Sequence, residues 1–154
     1  MTEHAAINLI RAETIVPLIA ERRVASRQRV FDGPIALLLE DQPLISIDIE
    51  MTLSNVGFTV FDVMSCKDAH VWLDQRIPDV VIVDVELRDG ICADVVARLL
   101  QTKIPFVVYS GDHRSMHIDT PFVHGAWVNK PALPGELIRA ACNAVAGSKP
   151  IFVS

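Results

Sequence analysis

The sequence predicts an α/β fold built on a parallel, doubly wound sheet, and three observations predict it. Five short, largely apolar runs at 35–39, 58–61, 80–84, 106–109 and 126–129 are rich in Val, Ile, Leu and Phe, as strands buried on both faces are. Segments of helical length separate most of them, so strands and helices alternate along the chain. Right-handed crossovers between parallel strands then place helices on both faces of one sheet.

Each element has its own local reason. The first strand, 35–39, is IALLL; a helix follows from about Pro43, a favoured first helical position, to about Asn55, with Gly57 beyond its end. The second strand is 58–61. Ser65 is a cap for a second helix at 66–75, and Pro78 limits how far that helix runs. The third strand is 80–84, the stretch 86–90 is a loop, and a third helix spans about 91–101 with Val95, Leu99 and Leu100 on one face. The fourth strand is 106–109, the fifth is 126–129, and a last helix runs from about Pro134 to Ala146, before Gly147. Between Ser110 and Ala126 apolar residues fall only at Met116, Ile118, Phe122 and Val123, with Pro121 among them. The fourth helix is therefore expected to be short, irregular or mobile, with a packed loop as the equal alternative.

Composition bounds what the chain can be. At 154 residues it is long enough for one core of ordinary size. An apolar fraction of 51% and a mean hydropathy of +0.35 suit a sheet covered on both sides. No apolar stretch reaches the ~18 residues of a membrane span, and Glu3, Arg11, Glu13 and Pro17 interrupt the start where a secretory signal needs an apolar core. The expectation is a soluble, cytoplasmic protein with no membrane partner. Residues 1–33 carry a net charge of +1 and residues 34–154 one of −6. No basic stripe marks a nucleic-acid partner. Cys66, Cys92 and Cys142 are odd in number and widely spaced, which makes buried reduced thiols the expectation rather than a disulfide or a zinc site.

Domain organisation is read as an N-terminal extension at 1–33 and one domain at 34–154. Ile7, Ile10, Ile15, Leu18 and Ile19 suggest an amphipathic helix in the extension, broken at Pro17 and followed by basic ERRVASRQR. Packing on the domain, on a second copy in a homodimer, on a partner, or a disordered tail all remain open.

Four of the apolar runs end on reactive side chains: Glu40-Asp41, Asp84, Ser110 and Lys130. Carboxyl ends of parallel strands share one edge of the sheet, so these groups converge there. Carboxylate oxygens suit Mg²⁺, and an ammonium with a hydroxyl suits phosphoryl oxygens. The acidic pair followed by Gln42-Pro43, Asp84 in VIVDVELRDG, Ser110-Gly111 after PFVVY, and Lys130-Pro131 in GAWVNKPALPGEL occur in this order over about 34–147. In this the chain resembles the receiver domain of bacterial two-component response regulators, of the stand-alone, single-domain type, since only about seven residues follow the last helix.

The resemblance implies a flavodoxin-like five-stranded sheet in the order 2-1-3-4-5. It implies that Asp84 accepts a phosphoryl group from a histidine kinase or a histidine phosphotransfer protein, and that the chain signals to an unidentified downstream protein without being an enzyme in its own right. Mg²⁺ is expected on Asp41, Asp84 and the backbone carbonyl of Glu86, with Glu40 reaching through water where the family more often has Asp. Lys130 is expected to pair with a phosphoryl oxygen, with a cis bond to Pro131. Ser110 is expected to donate its hydroxyl to phosphorylated Asp84. Trp127 stands where the family usually carries Tyr or Phe; its bulk and its N–H leave a switching and a static role equally open.

Two other classes compete. A haloacid-dehalogenase-like phosphatase also uses Asp, Mg²⁺, a hydroxyl and Lys, and Glu86 sits near where its acid/base would be. There the nucleophile precedes the acidic pair, whereas here Glu40-Asp41 precede Asp84. A phosphorylation-independent pseudo-receiver would not need Asp41, Asp84, Ser110 and Lys130 all in place. His113 and His117 read as surface imidazoles, and Trp72, Met51 and Met64 as core filling.

Overall fold

Strand β1 (Ile35–Leu39) occupies an inner position of a five-stranded parallel sheet, and every one of its side chains is buried. The computed structural model describes residues 32–148, so the expectations for 1–31 lie outside the described residues. After β1 come helix α1 (Pro43–Ser54), β2 (Thr59–Val63), α2 (Cys66–Gln75) and β3 (Val80–Val83). A two-residue antiparallel pair, β4 (Glu86–Leu87) with β5 (Gly90–Ile91), precedes α3 (Ala93–Gln101) and β6 (Phe106–Ser110). Two single-turn 3₁₀ helices, η1 (Arg114–His117) and η2 (Pro121–His124), lead to β7 (Ala126–Asn129) and α4 (Pro134–Gly147).

The sheet order is β2-β1-β3-β6-β7, which is 2-1-3-4-5 counted over its own strands, as expected. Successive residues of a strand face opposite sides, and the core divides accordingly. Leu37, Leu39, Val81, Val83 and Val108 pack with α2, α3 and Phe122. Ala36, Leu38, Val80, Ile82 and Val107 pack with α1 and α4. Paired strands run in step, Leu39 beside Val63 and Val83, and Ser110 beside Asn129. Their carboxyl ends therefore finish along one edge.

Local chemistry explains the helix limits. Pro43 opens α1, while Gly57 at φ +102° turns the chain so that the Phe58 N–H reaches the Leu53 carbonyl at 3.1 Å. Ser65 caps α2 by accepting the Asp68 N–H at 3.0 Å. The fourth helix is indeed short and irregular, reduced to η1 and η2, and Phe122, fully buried against the α3 side of the sheet, anchors it.

Four expectations need correction. Cys66 and Cys92 form a disulfide rather than two reduced thiols, because the start of α2 and the start of α3 are neighbours in space although 26 residues apart. The stretch expected as a loop folds as the β4–β5 hairpin, and α3 starts at Ala93, with Val96 rather than Leu100 joining Val95 and Leu99 inside. Met51 does not fill the core: α1 buries Ser46, Ile49 and Leu53 and presents Leu44, Ile47 and Met51 outward. His117 is no surface imidazole, since it stacks on the Trp127 ring with centroids 5.6 Å apart.

Gly125 precedes β7 where there is no room for a side chain, because an added Cβ would overlap the buried Phe106 ring. Gly125→Ala is expected to destabilise the protein by about 1–3 kcal/mol through this overpacking. Urea denaturation checks it: an unchanged midpoint would mean that Phe106 moves aside without cost.

Candidate functional site

Lys130, one residue past β7, reaches back across the strand ends. Its Nζ donates to Glu40 Oε2 at 2.8 Å and to Asp84 Oδ2 at 3.0 Å. Glu40 follows β1 and Asp84 follows β3, so one ammonium ties three strand ends together. Glu40 is only 1% exposed. Its other oxygen, Oε1, accepts the Gln42 N–H at 3.1 Å, so both of its oxygens have partners within the protein. A buried carboxylate needs such pairing, because its desolvation is otherwise uncompensated. Burial disfavours the Lys130 ammonium, but the hydrogen bonds to Glu40 and Asp84 and the charges behind them prevail, and its pKa is raised above the ordinary 10.5.

Backbone bonds hold these ends in place. The Asp84 N–H donates to the Leu39 carbonyl at 3.1 Å, and the Lys130 N–H to the Ser110 carbonyl at 2.9 Å. The Lys130-Pro131 peptide is cis. Ser110 is buried, and its Oγ accepts the Asp112 N–H at 3.1 Å, which leaves its hydroxyl proton for another acceptor. Asp41 is half-buried next to Glu40, and Glu86 lies exposed on β4.

Lys130 thus touches Glu40 and Asp84 directly, and Ser110 adjoins them through the Lys130 backbone; Asp41 follows Glu40 in the chain and Glu86 lies on β4, two residues after Asp84. Among the described residues no three acidic, histidine or cysteine side chains gather tightly enough to hold a metal ion by themselves. That is compatible with Mg²⁺, which keeps several waters and takes one or two protein carboxylates. Asp84, with only Oδ2 committed to Lys130, and Asp41, together with the Glu86 carbonyl, are hard-oxygen donors of the kind this ion takes.

Trp127 belongs to a second cluster beside the site. Its Nε1 donates to the Asp112 carbonyl at 3.0 Å, and Asn129 Nδ2 donates to the same oxygen at 2.8 Å. His117 Nε2 lies 2.9 Å from Asp112 Oδ2. Asp112, which no motif singles out, therefore links Ser110, His117, Trp127 and Asn129. Its only signal in the sequence is its place two residues after Ser110.

Asp89, in the hairpin turn, falls within VIVDVELRDG but has no role assigned to it there. Its carboxylate accepts the Cys66 N–H at 2.8 Å and the Lys67 N–H at 3.0 Å at the start of α2. These backbone bonds hold its pKa below the ordinary 3.8. A depressed carboxylate contributes stability above the unfolded-state pKa and loses it as pH falls through the folded-state value. Asp89→Asn is therefore expected to flatten the part of the acid transition below about pH 4, as read by denaturation midpoints between about pH 5 and pH 2. Parallel curves for the two proteins would remove Asp89 from this role.

No protein-family model matches the sequence. No curated protein sequence matches it either. Solved structures do. A sensor protein from Polaromonas sp. JS666 superposes with a TM-score of 0.68 at 24% identity, covering 75% of this chain and 98% of that one. The fold is that of a response regulator receiver domain. A putative response regulator from Chloroflexus aurantiacus matches with a TM-score of 0.65 at 26% identity, over 73% of this chain and 98% of its own. The receiver domain of a sensor histidine kinase from Pseudomonas aeruginosa, whose structure holds a magnesium ion coordinated in the active-site cleft, matches with a TM-score of 0.66 at 19% identity, over 74% of this chain and 98% of that one. Among the described residues no helix is long and apolar enough to cross a membrane.

Proposed function

We propose that this receiver domain accepts a phosphoryl group on Asp84 from a histidine kinase or a histidine phosphotransfer protein of the cytoplasm, and signals through protein contacts. The observation that carries the reading is the Lys130 ammonium set between Glu40 and Asp84 at the strand ends. An Asp84 carboxylate oxygen attacks phosphorus, the bond from phosphorus to the donor's imidazole nitrogen breaks, and an acyl phosphate results. Lys130 already lies beside the accepting carboxylate and is charged at neutral pH, so it can follow the phosphoryl oxygens without any proton transfer. Glu40 keeps that ammonium at the strand ends while Asp84 is modified. Ser110 turns its hydroxyl proton to the new phosphoryl oxygen.

Mg²⁺, held by Asp41, Asp84 and the Glu86 carbonyl, would supply charge neutralisation between nucleophile and phosphoryl group. Glu40, whose oxygens accept from Lys130 and from the Gln42 N–H, would meet the ion only through water. Donor docking has a surface suited to it: α1 starts one residue beyond the acidic pair, and its Leu44, Ile47 and Met51 are exposed.

Incubation with Mg²⁺ and acetyl phosphate, followed by mapping of the modified residue, tests the reading. Stoichiometric acyl phosphate at Asp84 is expected. Turnover of many phosphomonoesters would instead favour a phosphatase, and no modification would favour a pseudo-receiver.

A further inference from the structure

The disulfide spans the two places that hold the hairpin following Asp84. Cys66 is the first residue of α2, and Cys92 is the residue before α3. Between Asp84 and Cys92 the chain makes the β4–β5 hairpin that carries Glu86. Val85 and Leu87 sink into the core, and the Cys92 N–H closes the loop on the Val85 carbonyl at 3.0 Å. On the outside the hairpin is fastened to α2 by the disulfide and by the exposed Asp89 carboxylate on the Cys66 and Lys67 N–H groups. The two cysteines differ in access: Cys66 is half-buried, whereas Cys92 is 0% exposed.

We propose that Cys66–Cys92 is a thiol–disulfide exchange site, with dithiol reductants as its substrate class, whose state sets how firmly the 85–92 hairpin is held beside Asp84. A reductant thiolate attacks Cys66 Sγ from solvent, the bond to Cys92 breaks, and Cys92 leaves as a thiolate that takes a proton from water. The reductant's second thiol then attacks its own sulfur in the mixed disulfide and releases Cys66 as a thiolate. The balance is one protein disulfide and one dithiol giving two protein thiols and one cyclic disulfide. A reducing compartment makes this exchange relevant, because disulfides there are usually transient or redox-sensing. For its effect on phosphoryl transfer the inference rests on the phosphoacceptor reading; the exchange itself does not.

With the disulfide open, the outside of the hairpin is held to α2 by the Asp89 carboxylate and by a weak thiol contact from Cys66 Sγ to the Gly90 carbonyl at 3.7 Å, so the Glu86 backbone becomes less well placed and transfer to Asp84 slows. The 154-residue chain, oxidised and after reduction with dithiothreitol, tests this by mass-spectrometric mapping of alkylated cysteines and by hydrogen exchange, with Cys66→Ser as the variant that cannot form the bond. Alkylated in denaturant, Cys66 and Cys92 are expected to be blocked before reduction and to react after it. Exchange at 85–92 is expected to rise roughly tenfold on reduction, and the thermal midpoint to fall by roughly 10 °C. Cys66→Ser should match the reduced protein and ignore dithiothreitol. Alkylation of both cysteines without reductant, or hairpin exchange equal in the two states, overturns the proposal. Acetyl phosphate labelling of the same samples separates the two readings. Slower labelling of Asp84 after reduction supports the coupling, and equal labelling overturns it. A hairpin that responds to reduction in a protein that is never labelled supports the exchange site and counts against the phosphoacceptor reading.

Discussion

Asp84→Asn is expected to abolish labelling by acetyl phosphate in the presence of Mg²⁺, to below one part in a thousand of the wild-type level, a loss on the order of 4 kcal/mol in transition-state stabilisation. The amide lacks the anionic oxygen that attacks phosphorus, and it is a weak ligand for a hard cation where the carboxylate is a strong one. Fold is not expected to be lost with it. Asp84 is partly exposed, the amide oxygen still accepts from Lys130, and Glu40 remains to hold the ammonium. Labelling by acid-labile phosphate detected with mass spectrometry, alongside a circular dichroism melt, separates loss of chemistry from loss of structure. Full labelling of a folded Asp84→Asn protein at some other residue would sink the assignment of the acceptor.

The location of the site is legible in the sequence, and its internal pairing is not. Continuous apolar runs identified the five strands because a sheet covered on both faces leaves no polar side, and the strand ends then located Glu40, Asp84, Ser110 and Lys130 on one edge. What the runs did not reveal is which groups bind which. That Glu40 is buried and clasped by Lys130 depends on how far a long side chain reaches back over the edge, a tertiary property with no spacing in the sequence. The Cys66–Cys92 bond was hidden for the same reason, since two residues on different crossovers meet only once α2 and α3 lie side by side. Met51 misled because α1 carries apolar residues on both faces, Ile49 and Leu53 inside and Leu44, Ile47 and Met51 outside, so periodicity alone gives no preferred face. Asp112 and His117 lacked any motif; their roles follow from Trp127, whose indole N–H found its partner in the Asp112 carbonyl.

Replacing Lys130 is expected to cost more stability than any other single change at the site. Lys130→Met removes the ammonium that serves Glu40 Oε2 and Asp84 Oδ2 and leaves Glu40 as a charge with almost no access to water. Breaking a buried pair from one side typically costs about 3–5 kcal/mol, because the remaining charge keeps its desolvation penalty without its partner. Glu40→Gln should cost less, since the amide oxygen still accepts the Gln42 N–H and Lys130 keeps Asp84. The double variant Glu40→Gln, Lys130→Met should therefore be more stable than Lys130→Met alone, by about 1–3 kcal/mol, a coupling that a double-mutant cycle isolates. The pH dependence has a definite sign. Lys130 titrates above its ordinary 10.5 in the folded protein, so its contribution is complete below the unfolded-state value and fades as pH rises through the folded one. The gap between wild type and Lys130→Met in urea should thus be full at neutral pH and narrow as pH rises past the unfolded-state lysine value of about 10.4 and the ammonium is lost. A gap that stays constant across that range, or a double variant no more stable than Lys130→Met, would show that Lys130 stabilises the strand ends by packing rather than by charge.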